Sequence, residues 1–295
     1  MTELISTLVS GIAFGVPLFL VASGLTLIYG VLGVLNFAHG SLFAVGALVA
    51  TSVIGTVFPS IPVFIGAALV GAVVVGVLGL VVERTVVRRL YRGDHITMLL
   101  ATFAILLIVE GAAELIWGDS PATVNQPKPL SGNVEVLGAA LPAYSILLVV
   151  IGAVFAVGLY LLLNRSRFGR DVKAIAQDQV MGEAVGLNTK RVMLLVFGLG
   201  SALAGLAGVL IAPTVSVSAN LGDSYILESF AVVIIGGLGS ITGSLIASIL
   251  VGITEALAVA YFPFLSGFTF YILVAVILLV RPRGLLGNAR IGAAA

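Results

Sequence analysis

Asn36 and His39 stand three residues apart just past a long apolar run, so any helix there carries both on one side. Polar side chains inside an apolar chain are costly, and they either line a path for a polar solute or pair with one another. The competing reading is structural, with Asn36 capping the next helix and His39 bonding a carbonyl. Metal chemistry lacks its ligands: His39 and His95 are the only histidines, nothing near His95 completes a set, and cysteine is absent. Without cysteine there is also no thiol catalysis and no disulfide. Glu110 and Glu114 are i, i+4 neighbours. With Glu228 and Glu255, and if they face inward, they would form an acidic outer vestibule suited to a substrate ammonium; snorkelling or local hydrogen bonding is the alternative. No nucleophile–base constellation is visible. Lys128, Lys173 and Lys190 follow Pro, Val and Thr, so the Gly-Lys-Ser/Thr loop that cradles phosphates is missing and the chain is expected to bind no nucleotide and no cofactor itself.

The other group able to act is basic. Residues 165–191 hold six basic and three acidic side chains among 27, between two long apolar runs. Val172, Ile175, Ala176 and Val180 fall at i, i+3, i+4 and i+8, which predicts a short helix with a partial apolar stripe; Arg170, Lys173, Gln177 and Met181 lie opposite. Such a helix can lay a face into a partner's groove. A solvated loop held by lipid headgroups is the competing reading.

The elements that must position these residues are membrane helices. The hydrophobic fraction is 60% and the charged fraction 9%, against about 25% charged in a soluble domain. The chain therefore reads as one all-α polytopic membrane domain over 1–295, with about seven to nine transmembrane helices. Spans are expected at 8–29, 37–56, 61–82, 96–117, 142–163, 192–211 and around 267–280. The start, Met1-Thr2-Glu3, has no cationic n-region and reads as a retained first span. Small residues at Gly200/Ala204/Gly208 and Ala68/Ala72/Gly76 mark packing seams. Thirteen of the fourteen Lys and Arg fall in three clusters: Arg84/Arg88/Arg89/Arg92, the six of 165–191, and Arg281/Arg283/Arg290. Short cationic loops stay cytoplasmic, which puts the N-terminus outside and the C-terminus inside. Region 226–259 is long for one span and short for two; parity makes it enter and leave on the outer side, as a re-entrant pair bent at 236–243, and the competing reading is two thin, tilted full spans with one other segment miscounted.

The interruption has an echo. Ile28-Tyr29-Gly30-Val31-Leu32-Gly33 resembles Ile234-Ile235-Gly236-Gly237-Leu238-Gly239, and Gly40-Ser41-Leu42 answers Gly243-Ser244-Leu245. Paired Gly-interrupted segments in two halves point to a translocation path, here Tyr29, Gly30, Gly33, Asn36, His39, Gly236, Gly237 and Gly239. Chance matching in Gly- and Leu-rich sequence is the other reading, and a two-half internal repeat remains possible.

With these residues in view, the chain resembles the permease subunits of the branched-chain amino-acid (Liv-type) ABC importers. Residues 24–40, Gly-Leu-Thr-Leu-Ile-Tyr-Gly-Val-Leu-Gly-Val-Leu-Asn-Phe-Ala-His-Gly, are similar to the family's N-terminal signature. Arg167-Phe168-Gly169-Arg170 through Asp178 to Gly186, Phe230 through Ser240, and Arg281-Pro282-Arg283-Gly284-Leu285 carry the rest. The family often has Pro and Gly where Thr242 and Ala247 stand, and small or apolar residues near Asp171, which bears on local packing and on the ATPase contact. Lacking an extended N-terminal region, the chain resembles the shorter of the two paired permease types. The resemblance implies a bacterial inner-membrane protein working with a second permease, two ATPases that bind the ATP, and a periplasmic or lipid-anchored binding protein. It does not imply a nucleic-acid partner. It also implies that 164–191 is a cytoplasmic coupling loop contacting the ATPase through Gly169, Arg170, Lys173, Ala174, Gln177, Asp178, Met181 and Gly186. Urea, short amides or other small polar solutes are the alternative cargo. Outside the family, an ion-coupled secondary transporter would need ionisable residues near the midplane, where the sequence offers mostly Gly, Ser, Thr and Asn; a channel and a membrane enzyme are weaker rivals.

Overall fold

The computed structural model describes residues 2–55, 57–91, 93–136 and 138–287. Arg92, Arg290 and the last residue of the expected 37–56 span lie outside them. In chain order the elements are α1 (Thr2–Leu32), α2 (Ala38–Ile54), α3 (Ile61–Val82), a π-helical turn (Glu83–Val87), α4 (Arg88–Leu90) and α5 (His95–Trp117). There follow an antiparallel hairpin of β1 (Asn133–Val136) and β2 (Ala139–Pro142), then α6 (Ala143–Arg165), α7 (Arg167–Gln177) and α8 (Gln179–Ala184). The chain closes with α9 (Thr189–Ile211), α10 (Leu221–Gly236), α11 (Ile241–Tyr261) and α12 (Thr269–Val280). Among the described residues six helices, namely α1, α3 with its continuation, α5, α6, α9 and α11, are long and apolar enough to cross a membrane, and α2 and α12 are shorter apolar helices. The chain is an all-α polytopic membrane protein.

The helix α9 forms the centre, with 78% of its apolar window buried, against 17% for α6 and 28% for α3 and α5, which face outward. Hydrocarbon offers no hydrophobic drive for helices to associate, so contact relies on close van der Waals approach over small residues. A Cβ on Gly46 of α2 would stand 2.2 Å from the Gly205 carbonyl, and one on Gly24 of α1 2.6 Å from that of Gly200. The expected seams lie here: Gly208 packs on Phe43 and Gly76 on Ala202.

The bundle has a basic end. Val31 and Leu32, at the close of α1, share a cavity with Leu90, Tyr91 and Met193, and Arg88 and Arg89 face Lys190 across a groove. Contacts of α1 with α11 run antiparallel, Gly11 to Gly252, Gly15 to Ser248 and Thr26 to Ser244, so α11 starts at this end. There the C-terminal strap bonds α10, Leu285 N–H donating to the Ile235 carbonyl at 2.7 Å and Leu286 N–H to that of Gly236 at 3.0 Å. The opposite end holds the β-hairpin, Trp117 Nε1 donating to Ser52 Oγ at 2.7 Å, and Tyr144 Oη donating to the Leu210 carbonyl at 2.6 Å.

The expected bend between 236 and 243 exists, and its two helices leave from and return to the end opposite the cations. It is deeper than a shallow re-entrant turn. It reaches the basic end, with Gly236 packed against Gly243, and α11 has 21 residues, enough for a full crossing at 1.5 Å per residue. α10, with 16 residues, is shorter than a usual span; any pair that leaves and returns on one side satisfies the same parity, which is why counting cations could not separate the two arrangements.

Candidate functional site

Two hairpins, α1/α2 and α10/α11, pack on each other and both turn at the basic end. The echoed glycines Gly33 and Gly239 each take a left-handed backbone there, φ +70° and +84°. Beyond Gly33 the chain folds back so that α2 begins well inside the bundle: His39 lies on Gly24, where a Cβ would come 2.7 Å from its Nε2. Phe37 packs edge-on against Phe230 at 5.1 Å, and its N–H donates to Thr102 Oγ1 at 3.3 Å. Asn36 is 3% exposed and His39 0%. Neither polar group of Asn36 and neither ring nitrogen of His39 has a hydrogen-bond partner among the described residues. The Val21 carbonyl lies beside the His39 ring without the alignment of a full hydrogen bond. Asn36 does not cap α2, whose N-terminus has no side-chain cap; for His39 the Val21 carbonyl beside the ring is in line with the structural alternative.

The remaining path candidates divide. Tyr29 and Gly30 are half-buried, and a Cβ on Gly30 would meet nothing within 4 Å. This glycine therefore borders open space and makes no close backbone contact. Gly237, at φ +97°, is a close-approach site, with a Cβ only 2.3 Å from the Gly287 nitrogen. Gly236, Gly237 and Gly239 thus hold the α10/α11 turn under the C-terminal strap, and the structure does not bring them beside Asn36 and His39.

At the basic end the single helix expected over 165–191 is two. Asp178, extended at φ −158°, ends α7 and caps α8, its Oδ1 accepting from Met181 N–H at 2.9 Å. The predicted stripe holds for Val172 and Ile175, 6% and 2% exposed, but Val180 on α8 is 79% exposed; the break at Asp178 resets the helical phase. Arg170, Ala174, Gln177 and Met181 are exposed as expected. With Val180 and Val185, Met181 leaves apolar surface uncovered. Lys173 is tied back, Nζ donating to Asn164 Oδ1 at 2.7 Å. Gly169 lets α7 fold against the end of α6, where a Cβ would lie 2.3 Å from the Leu163 carbonyl. Gly186 closes α8 at φ +88°.

Sequence reasoning missed Glu83. This carboxylate is 0% exposed and accepts from Arg88 Nε at 3.1 Å, Arg88 Nη2 at 2.9 Å and Tyr91 Oη at 2.5 Å. Burial and then the bond to Glu83 push the Tyr91 hydroxyl far above the usual phenol range, so it stays a donor. Arg88 and Tyr91 also line the groove of about 320 Å³ opposite Gln179, Glu183, Lys190 and Met193. A carboxylate five residues before an arginine matches no helical pairing rule, and only the end of an apolar run hinted at it.

Towards the opposite end, the acids gather around α10. Asp223 faces Glu110 of α5, and Glu228 feels Glu255 of α11. Glu255 is locally committed, accepting from Ser266 Oγ at 2.8 Å, Gly267 N–H at 2.9 Å and Thr269 Oγ1. Glu110 Oε1 and Glu228 Oε2 have no partner among the described residues.

The arrangement, an apolar bundle with polar groups at a helix break and an exposed basic segment at one end, has known relatives. The family model described as branched-chain amino acid transport system, permease component, matches residues 7–281. The high-affinity branched-chain amino acid transport system permease protein BraD of Pseudomonas aeruginosa is 30% identical over 96% of both chains. The corresponding LivH of Escherichia coli K12 is 28% identical over 96% of this chain and 95% of its own. A probable branched-chain amino acid transport permease protein LivH of Methanocaldococcus jannaschii is 30% identical over 92% and 88%. No solved structure matches. The chain belongs to the family of branched-chain amino acid transport system permease components.

Proposed function

We propose that this permease is one of two membrane subunits of an ATP-driven importer for branched-chain or closely related amino acids. Its basic end lies in the cytoplasm, with the N-terminus outside and the C-terminus inside. Separate ATPases supply the energy and an external binding protein delivers the solute. The observation that carries the reading is the segment α7–α8: in a chain otherwise given to lipid, it exposes Arg170, Ala174, Gln177, Val180, Met181 and Val185 together at one end. An uncovered amphipathic pair there suits a partner's groove. Gly169, Asp178 and Gly186 shape the segment, and the other exposed residues make the contact.

The route runs beside the α1/α2 break. Asn36 and His39 stay buried without partners, and polar groups held in a membrane bundle at that cost mark solute pathways. The acids around α10 lie on the side from which a zwitterionic solute would arrive, and their field favours its ammonium. The name shared by the relatives supports an aliphatic amino acid as cargo. The test is competition in vesicles holding the full transporter: unlabelled leucine, isoleucine and valine should suppress labelled leucine uptake, while urea and acetamide should not. Suppression by urea or amides alone would move the assignment to those solutes.

A further inference from the structure

The π-helical turn at Glu83–Val87 carries a pairing that an α-helix forbids. In α-register the fourth residue after Glu83 is Val87, and Arg88, at i+5, points well away from it. The wider π-turn brings Arg88 round so that Nε and Nη2 meet the two carboxylate oxygens at 3.1 and 2.9 Å, while Tyr91 reaches Oε1 at 2.5 Å. The ion pair and the π-turn therefore support one another, and a π-turn inside a helix frequently marks a functional site.

Its position is what matters. Arg88 and Tyr91 form one wall of the groove whose other wall is Gln179 and Glu183 of α8 with Lys190 and Met193 of α9. Tyr91 also lines the adjoining cavity with Val31, Leu32 and His95, and His95 is the neighbour of Gly33, 3.8 Å from where its Cβ would be. One buried carboxylate thus holds side chains that line a groove shared with the exposed two-helix segment on one side and a cavity shared with the end of α1 on the other.

We propose that Glu83 is a positioning residue for energy coupling. By fixing Arg88 and Tyr91 it keeps the π-turn in register between the segment on which the ATPases act and the break that carries Asn36. The proposal rests on the reading of α7–α8 as the ATPase contact. A push on α8 then reaches the end of α1 through Tyr91, and loss of the carboxylate leaves the groove able to bind but unable to transmit.

The test uses the whole transporter in proteoliposomes and reads solute moved per ATP hydrolysed. Glu83→Gln should lower that ratio at least fivefold while the ATPases still co-purify and basal hydrolysis persists. Arg88→Lys, which keeps the charge but loses the paired geometry, should fall between. Because Glu83→Gln leaves Arg88 unpaired, the double variant Glu83→Gln/Arg88→Gln is measured beside it and should assemble with the same low ratio. A normal ratio in either assembled variant overturns the proposal. So does failure of both to assemble, which would make the cluster a folding element alone. The parent reading is scored separately on the wild-type chain: if that does not recruit the ATPases, or if Met181→Glu leaves recruitment intact, the contact is elsewhere and the proposal falls with it.

Discussion

A buried polar group without a partner costs about 1–3 kcal/mol, and Asn36 and His39 both sit in that condition at 3% and 0% exposure. Replacing such an amide by an apolar side chain of similar size removes the cost. Asn36→Leu should therefore unfold at the same or a higher temperature in detergent while uptake drops at least tenfold. Unchanged uptake would make Asn36 a tolerated defect and no part of the route. The two echoed glycines separate in the same assays. Gly30 has empty space before it, so Gly30→Leu should leave folding and assembly intact and block uptake by filling that space. Gly237→Leu meets the C-terminal strap and a left-handed backbone; the backbone alone costs about 1–2 kcal/mol, so this variant should lose stability first and transport as a consequence. If Gly30→Leu transported normally, the first break would not border the path. The roles of Asn36 and His39 were half legible in sequence, because type and spacing placed them on one side of a helix. That neither finds a partner depends on packing across α1, α2 and α10, which no local pattern encodes.

At the scale of elements, hydropathy over about 20 residues located the spans well, since in lipid every backbone group must bond within its helix and length follows from bilayer thickness. The breaks were harder. The periodicity runs through Asp178 as one continuous helix, yet its side chain bonds the Met181 amide and starts a new one; Asp competes for the backbone in this way wherever geometry allows. The π-turn at Glu83 was invisible because i+5 pairing belongs to no helical sequence rule. Two element-level outcomes follow. Met181→Glu, on an exposed position of α8, should abolish ATPase co-purification without changing thermal unfolding of the membrane part, and intact association with full uptake would move the contact to the Arg84–Arg89 turn. Gly205→Leu, in the seam where its Cβ would stand 2.5 Å from Val75 Cβ and 2.7 Å from the Gly71 carbonyl, should instead cost assembly and yield, because it separates α9 from α3 at the centre of the bundle. Equal yield and thermal unfolding of the two variants would contradict the distinction between contact surface and packing seam.

For the molecule as a whole, the described members of the three cation clusters fold to one end, and the charge pattern that sets orientation is also what surrounds the exposed segment. Cysteine placed at Arg88, Lys173 or Arg283 in the cysteine-free chain should resist impermeant thiol reagents in intact cells and label after lysis; rapid labelling of Lys173→Cys in intact cells would invert the bundle and remove the ATPase contact with it. The measurement that bears most directly on the central claim is leucine accumulation in proteoliposomes, comparing the chain assembled with its second permease, ATPases and binding protein against the chain alone. The account predicts accumulation against a gradient only in the complete assembly and only with ATP inside, on the side of α7–α8. Accumulation or conduction by the chain alone, driven by an ion gradient and indifferent to ATP, would contradict it.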